Sequence, residues 1–182
     1  MISSKSELKD YLKADYNLYI KTKKHYLHLL ICSDYDLFIW RFLKALRKQE
    51  YHLNCKHRLL QVLWEKKKNS IGQKLGIFIQ PNCVGKALRI WHHGNIVIHK
   101  DARLGDYCVL HGMNCIGNKG TYKSGAPTIG NNVSFGVGAV IVGDVKIADN
   151  TFVGANSVVT KSFIDEGLVL CGIPAKIKEK DN

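Results

Sequence analysis

The sequence predicts a mostly β protein: a three-sided column of stacked parallel strands, preceded by an α-helical lobe. Two observations lead to this fold class. From residue 76 onward, large apolar residues recur every six positions, a period that fits neither a lone strand nor a helix. Before that point the apolar residues recur with helical spacing, and proline is absent until Pro81. We therefore expect a helical lobe over residues 1–75 and a repeat domain over residues 76–182.

The lobe carries start signals and apolar faces typical of helices. Ser4 and Glu7 have the spacing of a capping box. Apolar residues over 35–46 follow the i, i+3, i+4, i+7, i+11 spacing of one helix face. A further helix is expected from Leu59 to the basic run Lys66–Lys68, and Asn69–Gly72 is expected to end it.

The lobe is also strongly basic. The chain has 27 Lys and Arg against 15 Asp and Glu, a formal net charge of +12. Residues 1–75 hold 16 of the basic and 7 of the acidic side chains. This balance favours an anionic partner, such as a phosphate, an acidic glycan or a membrane surface, although a solvated helical surface explains the same charges. Nucleic acid is not expected, because the charge run lacks interleaved aromatics and a recognised binding module.

The hexad repeat runs through most of the second domain. Six apolar residues follow at unbroken spacing from Ile129 to Val159, and four more from Ile98 to Ile116. Three hexads form one triangular coil of about 18 residues, and successive coils stack as parallel strands about 4.8 Å apart. The residue after the inward aliphatic is often glycine, which we expect to supply corner conformations that other residues avoid. Four positions after the aliphatic the residue is mostly small.

Two interruptions of the repeat predict where it departs from a regular column. Upstream of Ile98 the phase slips by two residues near His92–Asn95, which makes Phe78, Val84 and Ile90 the inward residues. Seven extra residues within Asn118–Pro127 are expected to form a loop. Assigning faces in rotation places Ile90, Leu110, Phe135 and Val153 on one face. His111 then stacks beside Trp91, one coil away.

The six cysteines are expected to pack as small apolar side chains, because none forms a CxxC pair. No HExxH motif occurs either, so no metal site is expected. The N-terminus lacks a signal-peptide layout, and no apolar run approaches the roughly 18 residues of a membrane span. We expect a cytoplasmic protein with reduced thiols and no transmembrane segment.

Five stretches resemble the hexapeptide-repeat acyltransferases, in particular the serine acetyltransferase branch with its capsule and exopolysaccharide members. They are Ile90–Ile98, Leu110–Gly120, Ala126–Gly130, Ser157–Lys161 and Gly172–Lys176. The resemblance covers residues 76–178 and is weak over the lobe. It implies a left-handed parallel β-helix, usually a homotrimer with active sites between subunits, and acetyl-CoA as co-substrate.

The resemblance also implies roles for single residues. His92 takes the position of the family's general base, and an imidazole, whose ordinary pKa is about 6.5, accepts a hydroxyl proton at neutral pH. No cysteine matches a family nucleophile, so direct transfer is expected. Trp91, His93 and His111 are expected to contact the acceptor, while His99 is expected to be structural. Residues in matching positions are expected to contact acetyl-CoA: Gly117, Asn118, Gly136, Ala139, Ala155, Lys161 and Lys176.

Two departures from the serine acetyltransferase pattern bear on the acceptor. That family has Asp directly before the catalytic His, where this chain has Trp91. It has a second His in an Arg-His-Pro stretch, where this chain has Gly125–Pro127. Ala126 offers no hydrogen bond to the charged groups of an amino acid. The expected acceptor is therefore a sugar hydroxyl of a surface polysaccharide precursor, with L-serine as the alternative.

Two other functions stay open. Some β-helix proteins bind a metal through histidines of adjacent chains and act as hydratases, and His92, His93, His99 and His111 supply enough imidazoles. The face assignment, however, separates His99 from the other three. The second alternative is a non-enzymatic scaffold whose basic lobe binds a partner or a membrane surface.

Overall fold

The computed structural model describes residues 1–120 and 125–178. The lobe consists of α1 (Lys5–Tyr19), α2 (Lys23–Ile31), α3 (Tyr35–Asn54) and α4 (Arg58–Leu75). The predicted capping box is present at α1: the Ser4 hydroxyl accepts the Glu7 amide at 3.1 Å, and the Glu7 carboxylate accepts the Ser4 amide at 2.9 Å. None of the helices in the described residues combines the length and the apolar content that crossing a bilayer requires.

Helix α4 does not break where the sequence predicts. It runs through Asn69–Gly72 and ends at Leu75, after which Gly76 adopts the left-handed conformation with φ of 65°. Gly72 instead allows close packing, because a Cβ there would lie 2.6 Å from the Ile77 carbonyl oxygen and 3.1 Å from the Phe42 ring. The prediction of a helix break was wrong because Gly72 is required for close packing against Phe42 and Ile77, and not for a turn of the backbone.

Fourteen short strands follow in the described part of the chain. They are β1 (Ile77–Ile79), β2 (Arg89–Ile90), β3 (Ile96–Ile98), β4 (Arg103–Leu104), β5 (Val109–Leu110), β6 (Cys115–Gly117), β7 (Thr128–Ile129), β8 (Ser134–Phe135), β9 (Val140–Val142), β10 (Lys146–Ile147), β11 (Phe152–Val153), β12 (Val158–Val159), β13 (Val169–Cys171) and β14 (Lys176–Ile177). Sheet A has the order β1-β3-β6-β9-β12, sheet B β10-β7-β4, and sheet C β14-β13-β11-β8-β5-β2. All pairs are parallel except β13 with β14. The three sheets form the predicted left-handed parallel β-helix.

The strand register confirms the face assignment. Ile90 pairs with Leu110, Leu110 with Phe135, and Phe135 with Val153, all in sheet C and all fully buried. Each inward aliphatic removed from water contributes roughly 1.5–3 kcal/mol. The column is therefore held by this repeated burial along its axis.

One inward residue of the prediction was wrong. Phe78 is 53% exposed, whereas its neighbours Ile77 and Ile79 are buried. Ile79 pairs with Ile98, so it takes the inward position of the first coil. The inward Val84 follows Ile79 at a spacing of five positions instead of six, and this shortened corner contains Pro81. The hexad therefore slips there as well as at His92–Asn95.

At the corners, the glycine after the inward residue does not have the role that the sequence predicts. Gly105 and Gly136 follow inward aliphatics but do not have left-handed backbones. They allow close stacking, since a Cβ on Gly105 would lie 2.7 Å from Gly130 and one on Gly136 would lie 2.5 Å from the Ala155 nitrogen. The left-handed residues lie two positions further on, three after the inward aliphatic: Ala87, Tyr107, Met113, Asn132, Gly138, Asn150 and Asn156. The small residues four after it are buried as expected: Ala102, Cys108, Ala139, Thr151 and Ser157.

The lobe closes the open end of the column. The first coil of a parallel stack leaves backbone groups without a partner coil, and buried backbone groups need partners. Tyr19 donates its hydroxyl to the Leu88 carbonyl at 3.0 Å and accepts the Ile90 amide at 2.7 Å. Lys68 donates to the Ile79 carbonyl at 3.1 Å and is buried, so it does not belong to a solvated basic surface.

A buried ion network completes this closure. The Arg47 guanidinium contacts Asp15 at 2.8 Å and Glu50 at 3.2 Å, and it donates to the Val84 carbonyl at 2.8 Å. The second oxygen of Asp15 accepts the Ala87 amide at 2.8 Å. Burial alone would lower the pKa of Arg47, but the two carboxylates outweigh it and raise that pKa. The guanidinium therefore stays charged and joins α1 and α3 to the first coil.

Candidate active site

The corner between sheets C and A aligns the predicted catalytic residue with several others. Parallel stacking bonds join the coils there: Trp91 donates its amide to Leu110 at 2.9 Å, and His111 donates its amide to Phe135 at 3.0 Å. Gly136 continues the series with a 2.8 Å bond to Val153. His92 and the residues that follow it along this corner form what we call the corner column: His92, His111, Gly112, Gly136 and Ala155.

His92 projects outward from the extra residues of its coil. Its side chain is exposed, and the adjacent Gly94 and Asn95 have φ of 104° and 43°. The segment is anchored because Gly94 donates its amide to the Leu75 carbonyl at 2.7 Å. A Cβ on Gly112 would lie 3.3 Å from the His92 Cβ, so the next coil presents bare backbone beside the imidazole. The ring is thus available to a ligand on the surface.

The lobe supplies a neighbour of His92 that sequence reasoning missed. The Tyr35 ring, at the start of α3, lies 6.4 Å from the His92 ring and 6.0 Å from the His93 ring between centroids. Tyr35 was recognised only as part of a helix face. Nothing in its spacing indicates a site role, because the contact joins residues far apart in the sequence. Among the described residues no side-chain hydrogen bond holds the His92 ring, so this aromatic contact is the restraint that the structure provides.

The predicted stack of Trp91 and His111 is confirmed. The two ring centroids are 6.4 Å apart with an interplanar angle of 22°. The Arg89 guanidinium lies 4.4 Å from the Trp91 ring and 4.6 Å from the Tyr19 ring, and it pairs with Asp36 at 3.1 Å. Trp91 is therefore held from both the lobe and the next coil.

The position of His111 fixes its tautomer. Its Nδ1 lies 2.9 Å from the Phe135 carbonyl oxygen, which only accepts hydrogen bonds. Nδ1 therefore carries the hydrogen when the ring is neutral, and Nε2 is left as an acceptor. Asn114, another residue that the sequence analysis did not single out, braces this turn from inside. Its side chain accepts the Gly112 amide at 3.0 Å and donates to the Gly136 carbonyl at 2.8 Å.

The residues predicted to contact acetyl-CoA fall into separate places. Gly136 and Ala155 lie in the corner column, but Gly117 and Asn118 lie at the corner between sheets A and B, one coil after His99. Lys161 follows β12 at that same second corner, and Lys176 lies on β14. Ala139 faces neither corner surface: it is fully buried, and its amide and carbonyl bond to Gly136 and Cys115. Ala139 therefore belongs to the core.

The expected insertion loop is only partly visible. Residues 121–124 lie outside the described residues. On its near side, Asn118 accepts the Gly120 amide at 3.1 Å, and on its far side Ala126 packs against the core. The described ends of this segment lie at the corner between sheets A and B, beside Asp144.

Two buried thiols and His99 lie outside the corner column. Burial raises the pKa of the Cys83 and Cys108 thiols to about 11, which disfavours the thiolate. His99 lies at the other corner, where its Nδ1 accepts the Asp101 amide at 3.2 Å. Within the ranges that the structure covers, no group of three His, Cys, Asp or Glu side chains is placed to hold a metal ion.

The comparisons with known proteins agree with this architecture. Residues 126–161 match the family model for the bacterial transferase hexapeptide (six repeats). These residues are the coils whose inward aliphatics pair in register. Over these residues the chain is similar to the hexapeptide-repeat transferases.

The curated proteins that the chain matches include two kinds of acetyltransferase. The serine acetyltransferase of Synechococcus elongatus is 34% identical over 105 residues, which cover 56% of this chain and 42% of that protein. The putative colanic acid biosynthesis acetyltransferase WcaB of Escherichia coli K12 is 38% identical over 96 residues, 52% of this chain and 58% of that protein. The chain spans about half the length of the curated relatives it matches.

Solved structures extend the similarity of fold over the lobe. Soybean serine acetyltransferase complexed with serine superposes with a TM-score of 0.74 at 23% identity, covering 94% of this chain and 69% of that one. A serine acetyltransferase in complex with CoA gives 0.73 at 20% identity, covering 96% and 71%. At this identity the similarity establishes the fold: a helical lobe followed by a β-helix.

Proposed function

We propose that this protein is an acetyl-CoA-dependent O-acetyltransferase that acts on a sugar hydroxyl of a surface polysaccharide precursor. The observation that carries the proposal is the exposed His92 imidazole, set beside the bare backbone of Gly112 at one corner of a hexapeptide-repeat column. An outward imidazole can accept a proton, and a surface without side chains lets a thioester approach it closely.

The proposed reaction is a direct transfer with His92 as general base. The acceptor oxygen attacks the thioester carbonyl carbon while its proton passes to a ring nitrogen of His92. The carbon–sulfur bond then breaks, and the proton passes on to the departing sulfur. The products are the acetyl ester and the CoA thiol. Burial disfavours the thiolate of Cys83 and Cys108, so neither of these two thiols is suited to form a covalent enzyme intermediate.

His111, Trp91 and His93 are proposed to hold the acceptor. Nε2 of His111 is an acceptor for a hydroxyl hydrogen, and the Trp91 indole offers an apolar face of the kind on which sugar rings pack. Tyr35 takes the role of orienting His92 through ring contact. The neighbour of the base is the aromatic ring of Tyr35 and not a carboxylate. These surroundings suit a neutral sugar better than a charged amino acid.

The acetyl-CoA contacts proposed for Gly136 and Ala155 follow the corner column, while those for Gly117, Asn118, Lys161 and Lys176 lie beyond it.

A homotrimer would bring a second copy's corner toward this column. The outward residues of sheet A and its flanking corner support such an assembly, because several of them are exposed and apolar: Phe78, Val97, Met113 and Val137.

L-Serine is a second candidate acceptor. Several of the matched curated relatives are serine acetyltransferases, including one from Staphylococcus aureus at 36% identity. Ala126 argues against it, since a methyl group offers no hydrogen bond to the charged groups of the amino acid, and Trp91 supplies no carboxylate for the ammonium group.

The test is an acceptor panel with acetyl-CoA, in which release of the CoA thiol is followed for L-serine, nucleotide sugars and glycan fragments. We expect His92→Ala to lower kcat by roughly two to four orders of magnitude while acetyl-CoA still binds. His99→Ala, a histidine at the other corner, is the matched control and should stay near the unmodified rate. Near-normal turnover in His92→Ala would contradict the role of the base, and transfer to L-serine alone would contradict the sugar acceptor.

A further inference from the structure

A groove of about 520 Å³ lies between α3 and α4 of the lobe. Three apolar and three cationic side chains line it: Phe38, Ile71 and Leu75, with Arg41, Lys67 and Lys74. Lys67, Ile71 and Lys74 recur at i, i+4 and i+7, so they share one face of α4. In the sequence these cations are recognisable only as part of a basic lobe.

The groove adjoins the candidate active site. The backbone carbonyl of Leu75, which lines the groove, accepts a hydrogen bond from the Gly94 amide at 2.7 Å. Gly94 belongs to the segment that carries His92. On α3, Phe38 lies three residues after Tyr35, about one helical turn, and Tyr35 contacts the His92 and His93 rings. A ligand at His92 can therefore extend into the groove along α3.

The charge in the groove is not compensated by the protein. Within the described ranges no carboxylate lies within 4.0 Å of Arg41, Lys67 or Lys74. Arg41 lies 5.7 Å from the Phe38 ring, which holds the guanidinium beside the apolar wall. Burial lowers the pKa of the neighbouring Lys48, and the positive charges of Lys44 and Lys67 lower it further. Crowded cations without acidic partners form a site for an anion.

The position of the groove separates it from the proposed acetyl-CoA path. The corner column runs from His92 toward later coils, through Gly136 and Ala155. The groove lies in the lobe, before the first coil. A donor and an acceptor that meet at His92 can thus arrive from opposite directions.

We propose that this groove binds the diphosphate of a glycosyl diphosphate acceptor whose sugar lies at His92. The inference rests on the proposed O-acetyltransferase function and names its substrate class. Arginine and lysine are the side chains that bind phosphate through charge-assisted hydrogen bonds, and Arg41 can do so with two parallel bonds. The apolar wall of Phe38, Ile71 and Leu75 accommodates the carrier attached to the diphosphate.

Kinetics with Lys67→Gln and Lys74→Gln test the groove, with Lys66→Gln as the matched control. Lys66 lies on the same helix and is exposed, but it does not line the groove. With a glycosyl diphosphate acceptor, each groove variant should raise the acceptor KM roughly tenfold and leave the KM for acetyl-CoA unchanged. Lys66→Gln should match the unmodified protein. A KM unchanged in both groove variants, or raised equally in Lys66→Gln, overturns the proposal.

Calorimetric binding to the His92→Ala protein separates this inference from the function it rests on. The probes are a nucleotide diphosphate sugar, a short prenyl diphosphate sugar and the free sugar. The proposal is supported if either diphosphate binds more tightly than the free sugar and if Lys67→Gln weakens that binding, even when no acetyl transfer is found. The diphosphate that binds more tightly then identifies the carrier. Equal binding of the free sugar and both diphosphates overturns the groove while leaving the transferase function standing.

Discussion

At the scale of single residues, the candidate site contains two histidines with different surroundings. His92 is exposed and its ring lies beside that of Tyr35, whereas His111 is half-buried and hydrogen-bonded at Nδ1 to Phe135. The first arrangement suits a group that gains and loses a proton. The second suits a fixed acceptor for a hydroxyl, because its tautomer does not vary.

His111 can be tested with two substitutions that differ in what they keep. Asn places an amide near the position of Nδ1 and retains a donor to Phe135, but it lacks any group at Nε2. We expect His111→Asn and His111→Ala to raise the acceptor KM by a similar factor, roughly tenfold, because the lost contact is the Nε2 hydrogen bond. Steady-state kinetics with varied acceptor measures this. If His111→Asn keeps the normal KM while His111→Ala does not, His111 has only a structural role.

At the scale of the elements, the corners determine how closely the coils stack. Glycine after the inward aliphatic permits backbone contact between coils, and the left-handed residue two positions later turns the chain. Asparagine, methionine and tyrosine also occupy left-handed corner positions, so the turn itself does not require glycine.

The close contact at one corner can be compared with a looser one. Gly105→Ala would place a Cβ 2.7 Å from Gly130, whereas Gly117→Ala meets only His99 at 3.6 Å. We expect Gly105→Ala to lower the free energy of unfolding by about 1–3 kcal/mol, since a coil must shift to admit the methyl group. Gly117→Ala should change it by less than about 0.5 kcal/mol. Denaturant titration followed by circular dichroism decides between them, and equal effects would contradict the steric account.

At the scale of the whole molecule, the lobe and the β-helix are joined by buried polar contacts. Side chains of α1, α3 and α4 satisfy the backbone of the first coil, where a stacked column would otherwise end in unpaired groups. The same lobe brings Tyr35 to His92 and frames the cationic groove. The packing of the lobe on the first coil therefore both closes the column and places Tyr35 beside His92 at the candidate site.

Removal of the Arg47 charge should destabilise both parts together. Arg47→Ala leaves Asp15 and Glu50 buried without their cation, and we expect a loss of about 3–5 kcal/mol. Helical circular dichroism reports the lobe, and tryptophan fluorescence reports Trp91 once Trp40 and Trp64 of the lobe are replaced by Phe. Both transitions should shift by the same amount. Lys13→Ala, an exposed position of α1, is the control. Asp15→Asn provides a milder variant. Separate transitions in these variants would show that the lobe does not close the column.

The sequence by itself determined the column, its faces and the corner that carries His92. Burial in a stacked coil repeats with the chain, so a period of six is enough to assign Ile90, Leu110 and Phe135 to one sheet. The sequence also predicted the stack of Trp91 on His111, because these two residues directly follow Ile90 and Leu110, which lie on the same face in adjacent coils.

Only the tertiary structure decided what depends on groups brought together from distant parts of the chain. Ile79 replaced Phe78 inside because a corner is one residue short, and Gly72 stayed helical because Phe42 and Ile77 press against it. The contact of Tyr35 with His92 and the groove between α3 and α4 arise from docking of the lobe. Such contacts leave no period in the sequence, because each occurs once and joins residues with unrelated local patterns.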